Sequence, residues 1–335
     1  MNRNRIVLII VLVILVVGTF LLFVSPPFKK SSQAVLKRIA ILTVSDLQLT
    51  SVDGIKAGLK ELGHEDGKDI AIEVRNPKGD LELTKKMASD IVASKPDLIV
   101  SVSTSASSAI KDVNKDAEIP VVAVDVGNFA QLGIENVQRP GGFITGVAVD
   151  NVAVAPKRME ILKTLLPKLK IIGILANPKN VSYKQVVKTH EEAASKLDLR
   201  VLWYDVTKKE EVPAAIQKLV RDNAGAFMTV NDAVVSGNSE LITPPLKLAK
   251  IPSIDFNVER GVSSGYLMAY GVPRFEIGKQ GARIIDKVLK GTAPGDIPVE
   301  FASTITFEID AALAKSFGIA VPEKLLLQAT KVYNQ

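Results

Sequence analysis

Six hydroxyl side chains lie close together where a buried strand gives way to a helix. The stretch DLIVSVSTSASSAI carries them at Ser101, Ser103, Thr104, Ser105, Ser107 and Ser108. One hydroxyl is enough to cap a helix. The free backbone N–H groups and partial positive charge of a helix N-terminus also attract carboxylates and other anions. We therefore expect Thr104 and Ser105 to donate hydrogen bonds to a ligand, with simple capping and solvation of the helix start as the alternative.

Polar side chains also follow most of the other predicted strands. Because ligands of open parallel α/β sheets bind outside the carboxyl ends of the strands, these positions are candidates for ligand contacts. They are Ser45, Asp46, Asp125, Asn128, Asn177, Asn231, Asp232 and Asp255. The Asp232 carboxylate can pair with a ligand ammonium, or it can cap a helix. Asn177 precedes a proline, so an ordinary Asn-Pro turn is the alternative there, and of Asp125 and Asp255 we expect one to face the ligand.

Three aromatic side chains are candidates for stacking on an apolar part of a ligand, since flat rings bury much surface at low entropic cost. They are Phe129, Tyr183 and Tyr270. Trp203, the only tryptophan, lies in the middle of the strand-like run RVLWYDV. Packing in the core or on the surface is therefore expected for Trp203.

The composition argues against several classes of protein. The absence of cysteine excludes disulfides, zinc thiolates, iron–sulfur clusters and thiol nucleophiles. The two histidines, His64 and His190, lie far apart, and no GxSxG, Walker A, GxGxxG or HExxH motif occurs. We therefore predict no catalytic residue, metal site or cofactor. A membrane-anchored hydrolase that uses the acids of a cleft is the least favoured alternative.

The net charge of +6 does not indicate a nucleic-acid-binding surface. Four of the positive charges, Arg3, Arg5, Lys29 and Lys30, lie in the first thirty residues, and elsewhere acids and bases alternate. No basic block interleaved with aromatic residues occurs in the sequence. No nucleic-acid partner is therefore expected.

The N-terminus carries the pattern of a membrane segment. Residues 6–24, IVLIIVLVILVVGTFLLFV, contain no charge, and a helix of this length reaches roughly 28 Å, close to the thickness of a bilayer core. No A-x-A cleavage pattern follows, which favours an uncleaved anchor over a signal peptide. Arg3 and Arg5 favour an N-terminus on the cytoplasmic side of the membrane, although Lys29 and Lys30 on the other flank weaken that preference. We expect a cytoplasmic stub (1–5), a single transmembrane span (6–24), a tether (25–36) and an extracytoplasmic domain at the cell membrane.

The remaining sequence predicts two similar α/β lobes with parallel sheets. Short β-branched runs alternate with helical patterns, which implies crossover connections and sheets covered on both faces. One half contains KPDLIV…IPVVAVDV and the other contains AGAFMTV…IPSIDF, each a strand, polar turn, helix and Ile-Pro strand. The chain is expected to cross three times between lobes, which makes a hinge. The predicted lobes are 37–148 with 272–299, and 149–271 with 300–335.

Several segments carry a family resemblance in their order and spacing. They are DGIKAGLKELGHEDGKDIAIEVRNPKGD, KPDLIVSVST, IPVVAVDV, RPGGFITGV, LLPKLKIIGILANP, IPSIDF and AYGVPRFEIGKQGARIIDKVLKG. From about Lys37 to Ile319 the sequence resembles the substrate-binding proteins of ABC importers with the type I periplasmic-binding fold. Within these it resembles the family associated with tryptophan, tyrosine and related amino-acid-type ligands.

The resemblance implies a membrane-anchored solute-binding component of an ABC importer. Such a protein captures a small ligand when the lobes close; the expected ligand is an amino acid, with aromatic amino acids among the candidates. The closed form docks on an ABC permease that works with its ATPase, and a monomer is expected. A ligand-binding sensor subunit that signals through a separate membrane partner is the alternative.

Overall fold

The computed structural model describes residues 36–150, 154–180 and 182–334. Residues from Lys37 to Gln335 form one compact unit. The predicted stub and transmembrane span, and the tether up to residue 35, lie outside the described residues. Among the helices that the structure does describe, none has both the length and the apolar character needed to cross a bilayer.

Thirteen strands occur in the described ranges. In chain order they are β1 (Lys37–Leu42), β2 (Ile70–Arg75), β3 (Leu98–Val102), β4 (Val121–Val126), β5 (Ile144–Ala148), β6 (Ile171–Ala176), β7 (Arg200–Asp205), β8 (Ala226–Met228), β9 (Ser253–Asp255), β10 (Met268–Gly271), β11 (Glu300–Phe301), β12 (Thr306–Asp310) and β13 (Lys331–Tyr333). Valine, isoleucine and alanine fill the central strands, as expected for sheets buried on both faces.

The α-helices of the described residues mostly connect consecutive strands. They are α1 (Leu49–Glu61), α2 (Leu81–Ala93), α3 (Thr104–Val113), α4 (Ala155–Leu165), α5 (Tyr183–Lys196), α6 (Val212–Arg221), α7 (Ala233–Ser236), α8 (Ser239–Leu248), α9 (Arg274–Leu289), α10 (Ala311–Ser316) and α11 (Glu323–Gln328). Local caps set several of the starts: the Asp80 carboxylate accepts from the Leu83 amide at 2.9 Å, and Asp310 does the same for Leu313 at 2.8 Å.

The strands form two sheets, one in each lobe. The first has the order β11-β5-β4-β3-β1-β2, and its neighbouring strands all run parallel. The second has the order β13-β12-β10-β9-β8-β6-β7, with β10 and β12 antiparallel. The predicted pair of α/β lobes with parallel sheets is therefore confirmed, with one antiparallel pair added in the second lobe.

The chain passes between the two sheets three times. The passages lie between β5 and α4, between β10 and α9, and between β11 and β12. The prediction assigned residues 300–335 to the second lobe, but the run IPVEFASTITFEID (297–310) is divided: Glu300 and Phe301 pair with Val147 and Ala148 of the first sheet, and only β12 joins the second. The third passage therefore lies after Phe301, beyond the predicted lobe boundary at residue 299.

Helices cover both faces of each sheet. In the first lobe α1 and α9 pack on one face, around Ile39, Ile55 and Ile285, while α2 and α3 pack on the other. In the second lobe α4, α5, α10 and α11 cover one face, and α6 and α8 the other. Each lobe is thus a three-layer sandwich whose sheet has only its strand ends free to meet the other lobe.

Helix α9 returns from the second lobe and packs on α1 through glycines. A Cβ on Gly54 of α1 would lie 2.0 Å from the carbonyl oxygen of Phe275, and one on Gly278 of α9 would lie 2.0 Å from that of Ser51. The two helix backbones are therefore in direct contact. Glycine is required at both positions because a methyl group would overlap backbone rather than a movable side chain.

We expect Gly54→Ala to destabilise the protein by about 1–3 kcal/mol despite its better helix propensity, because the two helices would have to separate. Denaturant unfolding followed by circular dichroism measures this. Lys56→Ala, on the exposed side of the same helix, is the control and should change stability by less than about 0.5 kcal/mol. A Gly54→Ala protein as stable as the control would contradict the contact.

A histidine between two carboxylates also links α9 to the first lobe. His64 Nδ1 lies 2.6 Å from Asp69, and Nε2 lies 3.0 Å from Asp286 of α9. Partial burial lowers the pKa of His64, but the hydrogen bonds and charges of Asp69 and Asp286 together outweigh burial and raise it above 6.5. A protonated ring can donate to both carboxylates at once.

The stabilisation from His64 should therefore depend on pH. Because the pKa in the folded state is raised, the stabilisation is complete below 6.5 and is lost as pH rises through the folded pKa. We expect His64→Gln to lower the melting temperature more at about pH 5.5 than at about pH 8.5. Calorimetric melting of both proteins at the two pH values measures the difference, and an equal loss at both would refute it.

Candidate functional site

The carboxyl ends of the two sheets face each other across a cavity of ≈160 Å³. First-lobe residues that follow β1, second-lobe residues that follow β9, and the first residue of α9 line it. They are Asp46, Leu47, Thr50, Asn257, Glu259, Arg260 and Arg274. Of the predicted site residues, only Asp46 lines this cavity. A second cavity of ≈220 Å³ lies near the starts of β1 and β3, lined by residues such as Arg38 and Pro96, and contains none of the predicted residues.

The clustered hydroxyls of the stretch DLIVSVSTSASSAI have different hydrogen-bond partners in the structure. Ser101 and Ser107 bond each other at 2.8 Å beneath α3, and Ser103 accepts from the Ala106 amide at 3.3 Å as the cap. The Thr104 hydroxyl accepts from the Gly127 amide at 3.1 Å and so ties two strand-end loops together. Ser105 is exposed, and its hydroxyl has no partner in the described part of the chain. Ser105 is therefore the most available ligand donor of the group.

The backbone at Ser103 is strained. Its φ of 102° and ψ of 158° belong to a region that glycine occupies and L-residues rarely adopt. This conformation turns the chain from β3 into α3, at the strand-end edge. Such strain is commonly stored at functional sites.

We expect glycine to be tolerated better than alanine at position 103, the reverse of the usual order. Ser103→Ala loses the cap and keeps the strain, which costs about 0.5–2 kcal/mol. Ser103→Gly releases about 1–3 kcal/mol of strain, against about 0.4–1 kcal/mol of added chain entropy in the unfolded state. Urea unfolding of both variants tests this order, and a glycine variant less stable than the alanine variant would show that residue 103 is unstrained.

Two predicted residues after β1 contact their neighbours. The Ser45 hydroxyl donates to the Gln48 side chain at 2.7 Å, which stabilises the turn into α1. Asp46 is exposed and accepts from the Asn76 amide at 2.7 Å. Asp46 still faces the cavity, so its carboxylate keeps acceptor capacity for a ligand.

The loop after β4 differs from the prediction in one respect. Asn128 is exposed and caps the short turn 129–132 by accepting from the Ala130 amide at 2.9 Å. Phe129, expected to stack on a ligand, is instead only 3% exposed and packs in the first lobe's core beside Leu132 and Ile134. The short turn after Asn128 directs its ring inward, so Phe129 offers no stacking face.

The predicted residues of the second lobe mostly bond to their own loops. Asp232 is 4% exposed, accepts from the Val234 amide at 2.9 Å and accepts from the Asn180 side chain at 3.2 Å. Asn177 accepts from the Lys179 amide at 2.9 Å, as an Asn-Pro turn requires. Asn231 is exposed, with no hydrogen bond from its side chain to any described residue. Asn231 is therefore freer for a ligand than Asp232.

The two predicted tyrosines pack within the second lobe. Tyr183 donates to Asp205 at 3.2 Å and meets Trp203 edge to face, with ring centroids 6.4 Å apart. Tyr270 meets Phe307 edge to face at 6.2 Å. Neither ring lines the interlobe cavity. Trp203 lies on β7, and its indole N–H donates to Glu191 at 2.7 Å. This contact agrees with the expected packing role.

Asp255 ends β9 and is buried. It accepts from the Thr229 hydroxyl at 2.5 Å, and the same hydroxyl accepts from the Phe256 amide at 3.0 Å. Burial raises the pKa of Asp255, against the hydrogen bond from Thr229 and the positive charge of Arg158. Burial also lowers the pKa of Arg158 to about 10. Asp255 thus orders the strand end beneath the cavity.

Asp125 belongs to a buried charge cluster that the sequence analysis did not identify. Its backbone is left-handed, with φ of 59°. Its carboxylate lies 3.4 Å from Arg274 Nε, and Glu259 of the second lobe lies 3.7 Å from the same guanidinium. Burial raises the pKa of Asp125; Arg274 opposes this and the charge of Glu259 adds to it. Asp125 itself does not line the cavity.

Arg274, Glu259, Arg260 and Asn257 line the cavity but were missed from sequence. One signal was present: Arg274 follows Pro273 at the first position of a strongly amphipathic helix. A cation there is unfavourable with the helix dipole, so it requires nearby carboxylates. The structure supplies them, because Glu259 accepts the Arg274 backbone N–H and also faces its side chain.

The profile of a family described as ABC transporter substrate binding protein matches residues 38–333. A relative from Clostridioides difficile (strain R20291), named tyrosine-binding protein, is 30% identical over 276 residues, which cover 81% of this chain and 78% of that protein. These matches agree with the resemblance seen in the sequence.

Solved structures share the two-lobe fold. The ABC domain in complex with L-Trp from Streptococcus pneumonia has a TM-score of 0.79 and 25% identity, covering 89% of this chain and 99% of that one. A ligand-free, open substrate-binding protein with adhesive properties from Clostridium difficile has a TM-score of 0.70 and 24% identity, covering 90% and 100%. The fold is that of type I periplasmic-binding proteins.

Proposed function

Because the chain belongs to the ABC transporter substrate-binding protein family, we propose that it is the extracytoplasmic solute-binding component of an ABC importer for an amino acid. It is a substrate-binding protein and not an enzyme. The observation that carries the proposal is the family match over nearly all described residues. The relative named for tyrosine and the structure with bound L-Trp support an amino-acid ligand, with aromatic amino acids the first to examine.

The geometry of the cleft supports capture between the lobes. Asp46 and Ser105 lie at first-lobe strand ends, and Asn231 lies at a second-lobe strand end. A ligand that contacts both edges holds the lobes together, so the closed form becomes the favoured population. Three chain passages link the two sheets in the part of the chain that the structure describes, and so few links allow this closure.

We propose further that the closed monomer docks on a permease that works with its ATPase, and that residues 6–24 anchor it in the cell membrane. The charge-free run and the arginines before it support the anchor. Fractionation of cells that express the full chain tests it: recovery in the membrane fraction after a carbonate wash is expected, and release into the soluble fraction would contradict an uncleaved anchor.

A thermal-shift screen tests the ligand class. Residues 37–335, which contain both sheets and their cores, are screened against the protein L-amino acids, sugars and nucleosides. A ligand at ~100 times its Kd should add about 2.7 kcal/mol of stability and raise the melting temperature by several degrees. A shift confined to amino acids supports the proposal, whereas a shift only with another class would overturn it.

Calorimetric titration of variants then locates the binding in the cleft. Ser105→Ala and Asn231→Ala should each weaken binding by about two- to tenfold, the effect of one lost hydrogen bond. Thr292→Ala, an exposed polar residue away from the strand ends, is the control and should bind like the wild type. Equal affinity in all variants would place the ligand elsewhere.

A further inference from the structure

Arg274 and Glu259, which line the cavity between the lobes, each have a charged atom without a hydrogen-bond partner in the described chain. Arg274 Nε and Glu259 Oε2 are both buried, and neither makes a hydrogen bond within the described chain. The Arg274 side chain is only 6% exposed, and its ion pairs with Asp125 and Glu259, at 3.4 and 3.7 Å, are longer than good hydrogen bonds. Buried polar atoms are nearly always hydrogen-bonded, so the described chain satisfies these two charged side chains incompletely, which favours a ligand as a further partner.

The charges around the cavity have both signs. Arg274 and Arg260 are cations, and Asp46 and Glu259 are carboxylates. The Arg260 side chain is exposed and makes no hydrogen bond or ion pair with any described residue. A ligand that satisfies such a lining must itself carry an anion and a cation a few ångströms apart, which is the chemistry of a free α-amino acid's ammonium and carboxylate groups.

We propose that the head group of the amino-acid ligand occupies this cavity, with its carboxylate against Arg274 and Arg260 and its ammonium against Glu259 and Asp46. This rests on the proposed function and adds to it the position of the head group, beside the passage between β10 and α9. Ser105 and Asn231, outside the cavity lining, remain free for other parts of the ligand.

The size of the cavity fits this assignment. Its ≈160 Å³ is close to the engineered cavity of about 150 Å³ that holds benzene. It is well below the roughly 300–1,000 Å³ of a site that encloses a whole drug-sized ligand. The cavity therefore accommodates a head group, while a large side chain extends along the cleft.

This position also couples binding to closure. Asp46 belongs to the first lobe, Glu259 and Arg260 to the second, and Arg274 begins the helix that returns to the first. One head group thus contacts both lobes. Its differential contact with the closed form is what shifts the population toward closure.

The test is calorimetric titration of the full-length chain with L-tyrosine, L-tryptophan and the remaining protein L-amino acids. For each amino acid that binds, the N-acetyl and amide derivatives are compared, and each should lose about tenfold or more in affinity. Glu259→Gln should lose about tenfold or more, and Arg260→Gln and Asp46→Asn at least about threefold.

Two exposed positions away from the cavity supply matched controls. Glu323→Gln and Arg221→Gln make the same charge changes and should bind within about twofold of the wild type. If Glu259→Gln fails to fold, Arg260→Gln, Asp46→Asn and the ligand derivatives still decide the question.

The possible results separate the two proposals. If no free amino acid binds the wild type, the proposed function and the head-group site both fail. If an amino acid binds, but its blocked derivatives bind equally well or the cavity variants match their controls, only the head-group site fails. Loss of affinity in the cavity variants and derivatives, with the controls unchanged, supports it.

Discussion

The close packing of α9 against α1 is the contact on which the two-lobe arrangement depends. Gly54 and Gly278 let the two helix backbones touch, so α9 completes the core of a lobe from which it is separated in sequence by the second-lobe elements from α4 to β10. The first lobe therefore cannot be complete until the chain has crossed twice. The same docking places Arg274, the first residue of α9, at the wall of the interlobe cavity.

The position of Arg274 follows from opposing electrostatic requirements. The helix dipole and burial both disfavour a cation at the start of α9. Asp125 from the first lobe and Glu259 from the second offset this, and burial in turn raises the pKa of Asp125. The cluster places two carboxylates around one guanidinium, and neither ion pair has hydrogen-bond geometry, so its hydrogen bonds are not satisfied. A binding site needs such a residual capacity, whereas a purely structural cluster does not.

The fold could be predicted from sequence to a large extent because its signals are local. The runs KPDLIV and IPVVAVDV are rich in β-branched, apolar residues, and both strands, β3 and β4, lie where the pattern placed them. The lobe boundary at residue 299 was predicted less well, because the run IPVEFASTITFEID contains β11 of the first sheet and β12 of the second. The alternation of residues in a sequence specifies a strand but not the strand with which it pairs. Pairing with β5 places Glu300 and Phe301 in the first lobe.

The candidate site was harder to predict because side-chain direction depends on loops and on partners distant in sequence. Strand-end logic located the edges that border the interlobe cavity, but it could not tell that Phe129 turns into the core or that Asp232 accepts hydrogen bonds from Asn180 and Val234. It also missed Arg274 and Glu259, which come together only when α9 returns to the first lobe. A cation at a helix start, a position that local energetics disfavours, was the one sequence feature that pointed to them, and residues that violate a local rule are where function is best sought.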